Sequence, residues 1–170
     1  MRVDDDMLVD TVDNSNHAVG RMIRRALLPN GANFRTVHVL LRSPPGQLVL
    51  QKLRDDHPRS PGKIGSSVAG YLRAGETYES AAKRKLYDEM RSRAKLAFIG
   101  ELSMIDKGSE KFVHVYGGRS VKMPDFDHEQ IARLIYLSQA EIESRLENHP
   151  EQFTETFQHV FRTVGSKAFR

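Results

Sequence analysis

The stretch from Gly70 to Ser92, GYLRAGETYESAAKRKLYDEMRS, constrains this chain more than any other. Arg73-Ala74-Gly75 is turn-forming. The run from Thr77 to about Arg93 is rich in Ala, Lys, Arg, Leu and Glu, which favour helix, and Thr77 is placed to cap it. At about 100° per residue, Tyr78, Ala82, Leu86 and Met90 form one apolar stripe that must pack against the body of the protein. Glu89 projects between Tyr78 and Ala82 on the same wheel, with Lys85 one turn below it. A carboxylate turned towards a core is costly unless it is paired or binds a cation. Glu89 therefore needs a partner, and the spacing allows two: an i, i+4 ion pair with Lys85, or a Mg²⁺ ion at the mouth of a pocket.

Strand patterns surround this helix. Met7 to Asp13 alternates apolar and polar residues and ends in the turn-prone Asp13-Asn14-Ser15-Asn16. Gly20 to Asn30 sets Arg21, Arg24 and Arg25 beside Met22, Ile23, Leu27 and Leu28, which predicts a short amphipathic helix; its arginines form either a solvated face or a phosphate-binding patch. Phe34 to Leu41 predicts a central strand, joined through Ser43-Pro44-Pro45-Gly46 to a second strand from Gln47 to Leu53. His38, in the middle of the first, reads as a satisfied core histidine. Arg54 to Lys63 is a loop broken by Pro58, Pro61 and Gly62, and Ser66 to Leu72 is the strand that leads into the helix.

Beyond the helix, Leu96 to Ile105 and Lys111 to Tyr116 alternate as two strands, Val121 to His128 is a loop, and Ile131 to Leu137 is another strand. Ser138-Gln139-Ala140-Glu141 fits a capping box for a helix running to about Leu146. Pro150 is placed to start the last helix, in which Phe153, Phe157, Val160, Phe161 and Val164 share one face. The pattern predicts a single α+β layered domain over residues 1–170.

Composition narrows the function classes. No apolar run approaches the ~20 residues needed to span a bilayer, and the acidic opening MRVDDDMLVD shows no apolar signal region. There is no cysteine, hence no disulfide, thiolate ligand or thiol nucleophile, and a cytoplasmic location is expected. A net charge of +4 suits an anionic small molecule; it disfavours nucleic acid without excluding it, and leaves a homodimer open.

The stretch from Gly70 to Ser92 resembles a Nudix box, whose pattern is Gly, five residues, Glu, seven residues, then Arg-Glu-aliphatic-any-Glu-Glu-any-Gly-aliphatic. Gly70, Glu76, Arg84, Leu86 and Glu89 match in place and Asp88 is a conservative replacement. Lys85 replaces the first box glutamate, and Arg91 and Ser92 replace the closing glycine and aliphatic residue. The resemblance implies the Nudix fold, a mixed β-sheet sandwiched between α-helices. It implies a hydrolase of a diphosphate linked to an organic group, a nucleotide among the candidates, with Mg²⁺ or Mn²⁺ held by Glu89 and Asp88 together with substrate oxygens. Glu89 or Glu110 would be the general base, Arg35, Lys52, Arg73 and Lys85 would grip phosphate, and Gly70, Glu76 and Arg84 would brace the box.

Other features are similar to the isopentenyl diphosphate isomerase-like branch. Phe34-Arg35 stands where that branch has His-Arg, and the segment from Leu48 to Ile64 resembles in length and punctuation the branch's stretch ending Pro-Gly-any-Trp, with Pro61-Gly62-Lys63-Ile64 in its place. True isomerases present Cys-Gly-His on the strand entering the box, whereas this chain has Ala69-Gly70-Tyr71. The isomerase activity is therefore not expected to carry over. A rival reading is an inactive Nudix domain that binds a nucleotide, an RNA or a protein. It is supported by charge: Lys85, Asp88 and Glu89 sum to −1 where the family box carries −3.

Overall fold

The computed structural model describes residues 4–170; the first three residues of the acidic opening lie outside it. Strand β1 (Leu8–Val12) pairs antiparallel with β2 (Ala18–Ile23) as a separate two-stranded ribbon. The main sheet is mixed and has seven strands: β3 (Phe34–Arg42), β4 (Leu48–Leu53), β5 (Ile64–Gly65), β6 (Val68–Tyr71), β7 (Leu96–Asp106), β8 (Ser109–Arg119) and β9 (Ile131–Leu137). Helices α1 (Tyr78–Met90), α2 (Gln139–Asn148) and α3 (Glu155–Val164) complete the domain. Among the described residues no helix is long and apolar enough to cross a membrane.

β3 is buried along most of its length because it is central, with β8 parallel on one edge and β4 and β6 antiparallel on the other. Its residues alternate between two cores. Val37, Val39 and Leu41 face α1 and pack with Ala82, Leu86 and Met90. Leu40, with Val113 and Val115 of β8, faces α3 and packs with Phe157, Val160, Phe161 and Val164. Phe157 is fully buried, which contributes roughly 1.5–3 kcal/mol relative to an exposed side chain.

The helix ends follow local chemistry. The Thr77 hydroxyl accepts from the Ser80 amide, and Ser138 and Glu141 form the reciprocal capping box expected from their spacing. Arg91 ends α1 in the left-handed region at φ 49°, where the family pattern has glycine. Its guanidinium donates to the Asp88 carbonyl at 2.9 Å, which satisfies one of the free carbonyls of the last turn.

Two expectations are corrected. The segment 20–30 is not an amphipathic helix: it continues β2 and then makes one 3-10 turn, Arg24–Ala26. A helix so short and closed by Pro29 is marginal on its own, and pairing with β1, reinforced by Arg21 Nε to Asp10 Oδ1 at 3.2 Å, wins. Pro150 starts a separate 3-10 turn, Pro150–Gln152, rather than the last helix. α3 begins later because Thr154 caps it, its hydroxyl accepting from the Phe157 amide while its own amide donates to the Ile64 carbonyl.

Candidate functional site

β3 and β4 pair only at their hairpin end, Leu41 with Val49 and Arg42 with Leu48. Beyond that they fork. β6 takes the free edge of β3, and β5 takes that of β4. The fork opens a cavity of about 530 Å³ that reaches both the α1 and the α3 side of the sheet.

The α1 side carries the box. Glu89 is buried, with Oε1 3.1 Å from Lys85 Nζ and Oε2 accepting from Gln51 Nε2 at 3.0 Å. Burial pushes its carboxyl above the ordinary range, with Lys85 and Gln51 opposing that rise. Gly70 explains how Lys85 reaches this place: a Cβ there would lie 2.5 Å from Lys85 Cε, so the lysine stem runs through the space that a side chain would fill. Arg84 grips Glu76 through two hydrogen bonds of 2.8 and 2.9 Å and also donates to the Tyr71 carbonyl. Burial alone would raise the Glu76 carboxyl, but Arg84 and the Arg73 amide hold it below its usual value. Gly70, Glu76 and Arg84 thus tie the loop, β6 and α1 together.

Of the other residues singled out from the sequence, Lys85 and Glu89 line the cavity, whereas Asp88, Arg35, Lys52, Arg73 and Glu110 do not. Asp88 is exposed on the solvent side of α1. Arg35 is bound to Asn16 by two hydrogen bonds and lies over the Tyr78 ring. Lys52 donates to the Gly62 carbonyl, and Arg73 is exposed on the loop before α1. Glu110 has the opposite strand parity to Lys111, which turns its side chain to the α1 face, but it does not line the cavity there.

The cavity wall contains groups that the sequence reading passed over. His38 is buried, as expected of a core histidine, with Nδ1 2.7 Å from Ser66 Oγ, but it also lines the cavity. Burial and the neighbouring Lys111 push it down to about 3, so it is neutral at physiological pH. Gln51, Arg59, Asp106 and Lys111 also line the cavity. Lys111 could have been found: in the alternating strand it shares the parity of Val113 and Val115, and a lysine on an inward parity is a signal. The Tyr71 ring stacks on Phe34 at 5.2 Å and the Arg24 guanidinium lies over it at 4.4 Å.

A divalent metal does not fit these side chains as they stand. Both Glu89 oxygens are engaged, the expected co-ligand Asp88 lies outside the cavity, and no cluster of three or more His, Cys, Asp or Glu suited to a metal occurs among the described residues.

The NUDIX domain family model matches residues 32–160, a span that holds the fork, the box and α3 up to Val160. The chain belongs to the Nudix family. Among its relatives, an isopentenyl-diphosphate Delta-isomerase of Pectobacterium atrosepticum is 28% identical over 158 residues, covering 90% of this chain and 88% of that protein. An uncharacterised Nudix hydrolase of Nostoc is 25% identical over 139 residues, covering 79% of this chain and 82% of that one. The Nudix fold seen here also superposes on a crystal structure from Deinococcus radiodurans with a TM-score of 0.80 at 23% identity, over 92% of this chain and 98% of that one.

Proposed function

We propose that this chain is a Nudix hydrolase that cleaves a small-molecule diphosphate linked to an organic group, and that it works in the cytoplasm. The observation that carries this reading is Glu89, a buried carboxylate on the cavity wall at the last acidic position of the box. A carboxyl raised by burial is a stronger base than an exposed one, which suits it to take a proton from water. The water oxygen bonds to phosphorus as Glu89 accepts its proton. The bridging P–O bond breaks and the leaving oxygen departs with the electron pair. Lys85, beside Glu89, supplies positive charge where the phosphoryl oxygens gain negative charge. Hydrolase-named relatives support the reaction class.

The neutral Lys85–Glu89 pair favours a second reading, in which the cavity binds a nucleotide, an RNA or a protein without turning it over. One screen separates the two: phosphate release from a panel of diphosphate compounds, with and without Mg²⁺. Turnover is expected, and Glu89→Gln should lower it by about 100-fold or more, a usual contribution of a positioned base. Asp88→Asn should leave it near wild type, because Asp88 does not line the cavity. Equal activities in the two variants would overturn the assignment of the base. Ligand binding with no turnover across the panel would select the second reading.

A further inference from the structure

The α3 side of the cavity holds charged groups that the box does not account for. Lys111 is buried on β8; its Nζ donates to Thr156 Oγ1 at 2.7 Å, in the first turn of α3, and lies 3.4 Å from Asp106 Oδ2. Arg59, from the loop between β4 and β5, grips the same carboxylate, with Nη2 2.8 Å from each oxygen. One carboxylate thus answers two cations. With Lys107 and Glu155 included, three cations and two carboxylates line this side, leaving an excess of positive charge. Thr36 supplies an independent observation. Thr36 is 5% exposed and lines the cavity, and its hydroxyl has no hydrogen-bond partner among the described residues. A buried hydroxyl without a partner is costly, so a ligand oxygen there would be stabilising. The first amides of α3, at Glu155 and Thr156, have no intrahelical acceptor and favour an anion at the same place.

We propose that this wall is a phosphate subsite, in which Lys111, Arg59 and the Thr36 hydroxyl hold a phosphoryl group of the substrate without a divalent metal. The subsite builds on the hydrolase reading only in placing substrate in this cavity. Binding is read without turnover, so either idea can fail while the other stands.

The test is calorimetry of inorganic phosphate binding to the full chain in EDTA. Wild type should bind at millimolar phosphate, Lys111→Met and Arg59→Gln should each weaken binding at least tenfold, and Thr36→Val severalfold. Arg59 is partly exposed on its loop, so its variant serves if Lys111→Met does not fold. Methylenediphosphonate should displace the phosphate. Simultaneous binding of both would mean a separate inorganic ion and would overturn the assignment to a substrate phosphoryl group. No phosphate binding in EDTA, or binding untouched by both cation variants, would overturn the subsite itself.

Discussion

Lys85 Nζ and Glu89 Oε1 stand 3.1 Å apart with their side chains only 11% and 8% exposed, so one turn of α1 presents a neutral pair to the cavity. An exposed i, i+4 pair is worth a few tenths of a kcal/mol. This pair is different, because removing either partner leaves a charge without compensation in a buried place.

The metal prediction follows from that geometry. A lysine about 4 Å from a divalent ion repels it by roughly 2–8 kcal/mol, depending on the local dielectric. Lys85→Glu replaces this repulsion with a second carboxylate on the cavity side, and Mg²⁺ affinity measured by calorimetry should rise at least tenfold, about 1.4 kcal/mol. A Mg²⁺-dependent increase in Tm, absent in wild type, would accompany it. Unchanged affinity would mean that positions 85 and 89 cannot share an ion.

Much of this arrangement was legible in the sequence, and the part that was not has a common cause. The apolar stripe on α1 and the Phe157, Val160, Phe161 and Val164 face on α3 pack as their periodicity requires, because a helix has no other way to bury such a face. The partner of Glu89 within α1 was legible too, since i, i+4 is a local relation. Gln51, 38 residues away in the chain, was not: only the fork of β3 and β4 brings it to Glu89. The same holds for Arg59 and Lys111, which meet through Asp106. For segment 20–30 the local amphipathic pattern was present, but strand pairing with β1 overrode it.

Arg91 gives a stability prediction. A side chain at φ 49° is strained where glycine is not, by about 1 kcal/mol, while glycine also costs entropy in the unfolded chain. Arg91→Gly restores the residue of the family pattern but gives up the guanidinium bond to the Asp88 carbonyl. Because Arg91 is exposed, that bond competes with water and is worth little. Denaturant unfolding should show a gain of up to about 1 kcal/mol. A loss of stability would mean that the arginine cap outweighs the backbone strain.

The isomerase-named relatives prompt a sharper expectation. Moving a proton on and off carbon needs a positioned acid and base. Ala69 lines the cavity where true isomerases have cysteine and carries no group that can move a proton, and Tyr71 stands where they have histidine. Isopentenyl diphosphate incubated with the protein in deuterated water should show no enzyme-dependent deuterium incorporation by NMR, and clear incorporation would refute the expectation.

His38 predicts how stability depends on pH. Its folded value is pushed from 6.5 down to about 3, first by burial and then by Lys111, so the folded state keeps it neutral where the unfolded chain takes up a proton. For a group depressed on folding, the stabilisation is fully present above the unfolded value and is lost as pH falls towards the folded one. The unfolded state binds the extra proton, so stability drops by about 1.4 kcal/mol per pH unit below 6.5, or about 2–3 kcal/mol by about pH 4.5. Glu76 and Asp106, both held below the ordinary carboxylate range, act in the same direction, but mainly below about pH 4, where unfolded carboxyls titrate. His38→Gln keeps a polar group opposite Ser66 and removes the titration. Urea unfolding of the variant should therefore depend less steeply on pH than wild type from about pH 6.5 down to about 3. Equal slopes for the two proteins would show that some other group carries the acid sensitivity.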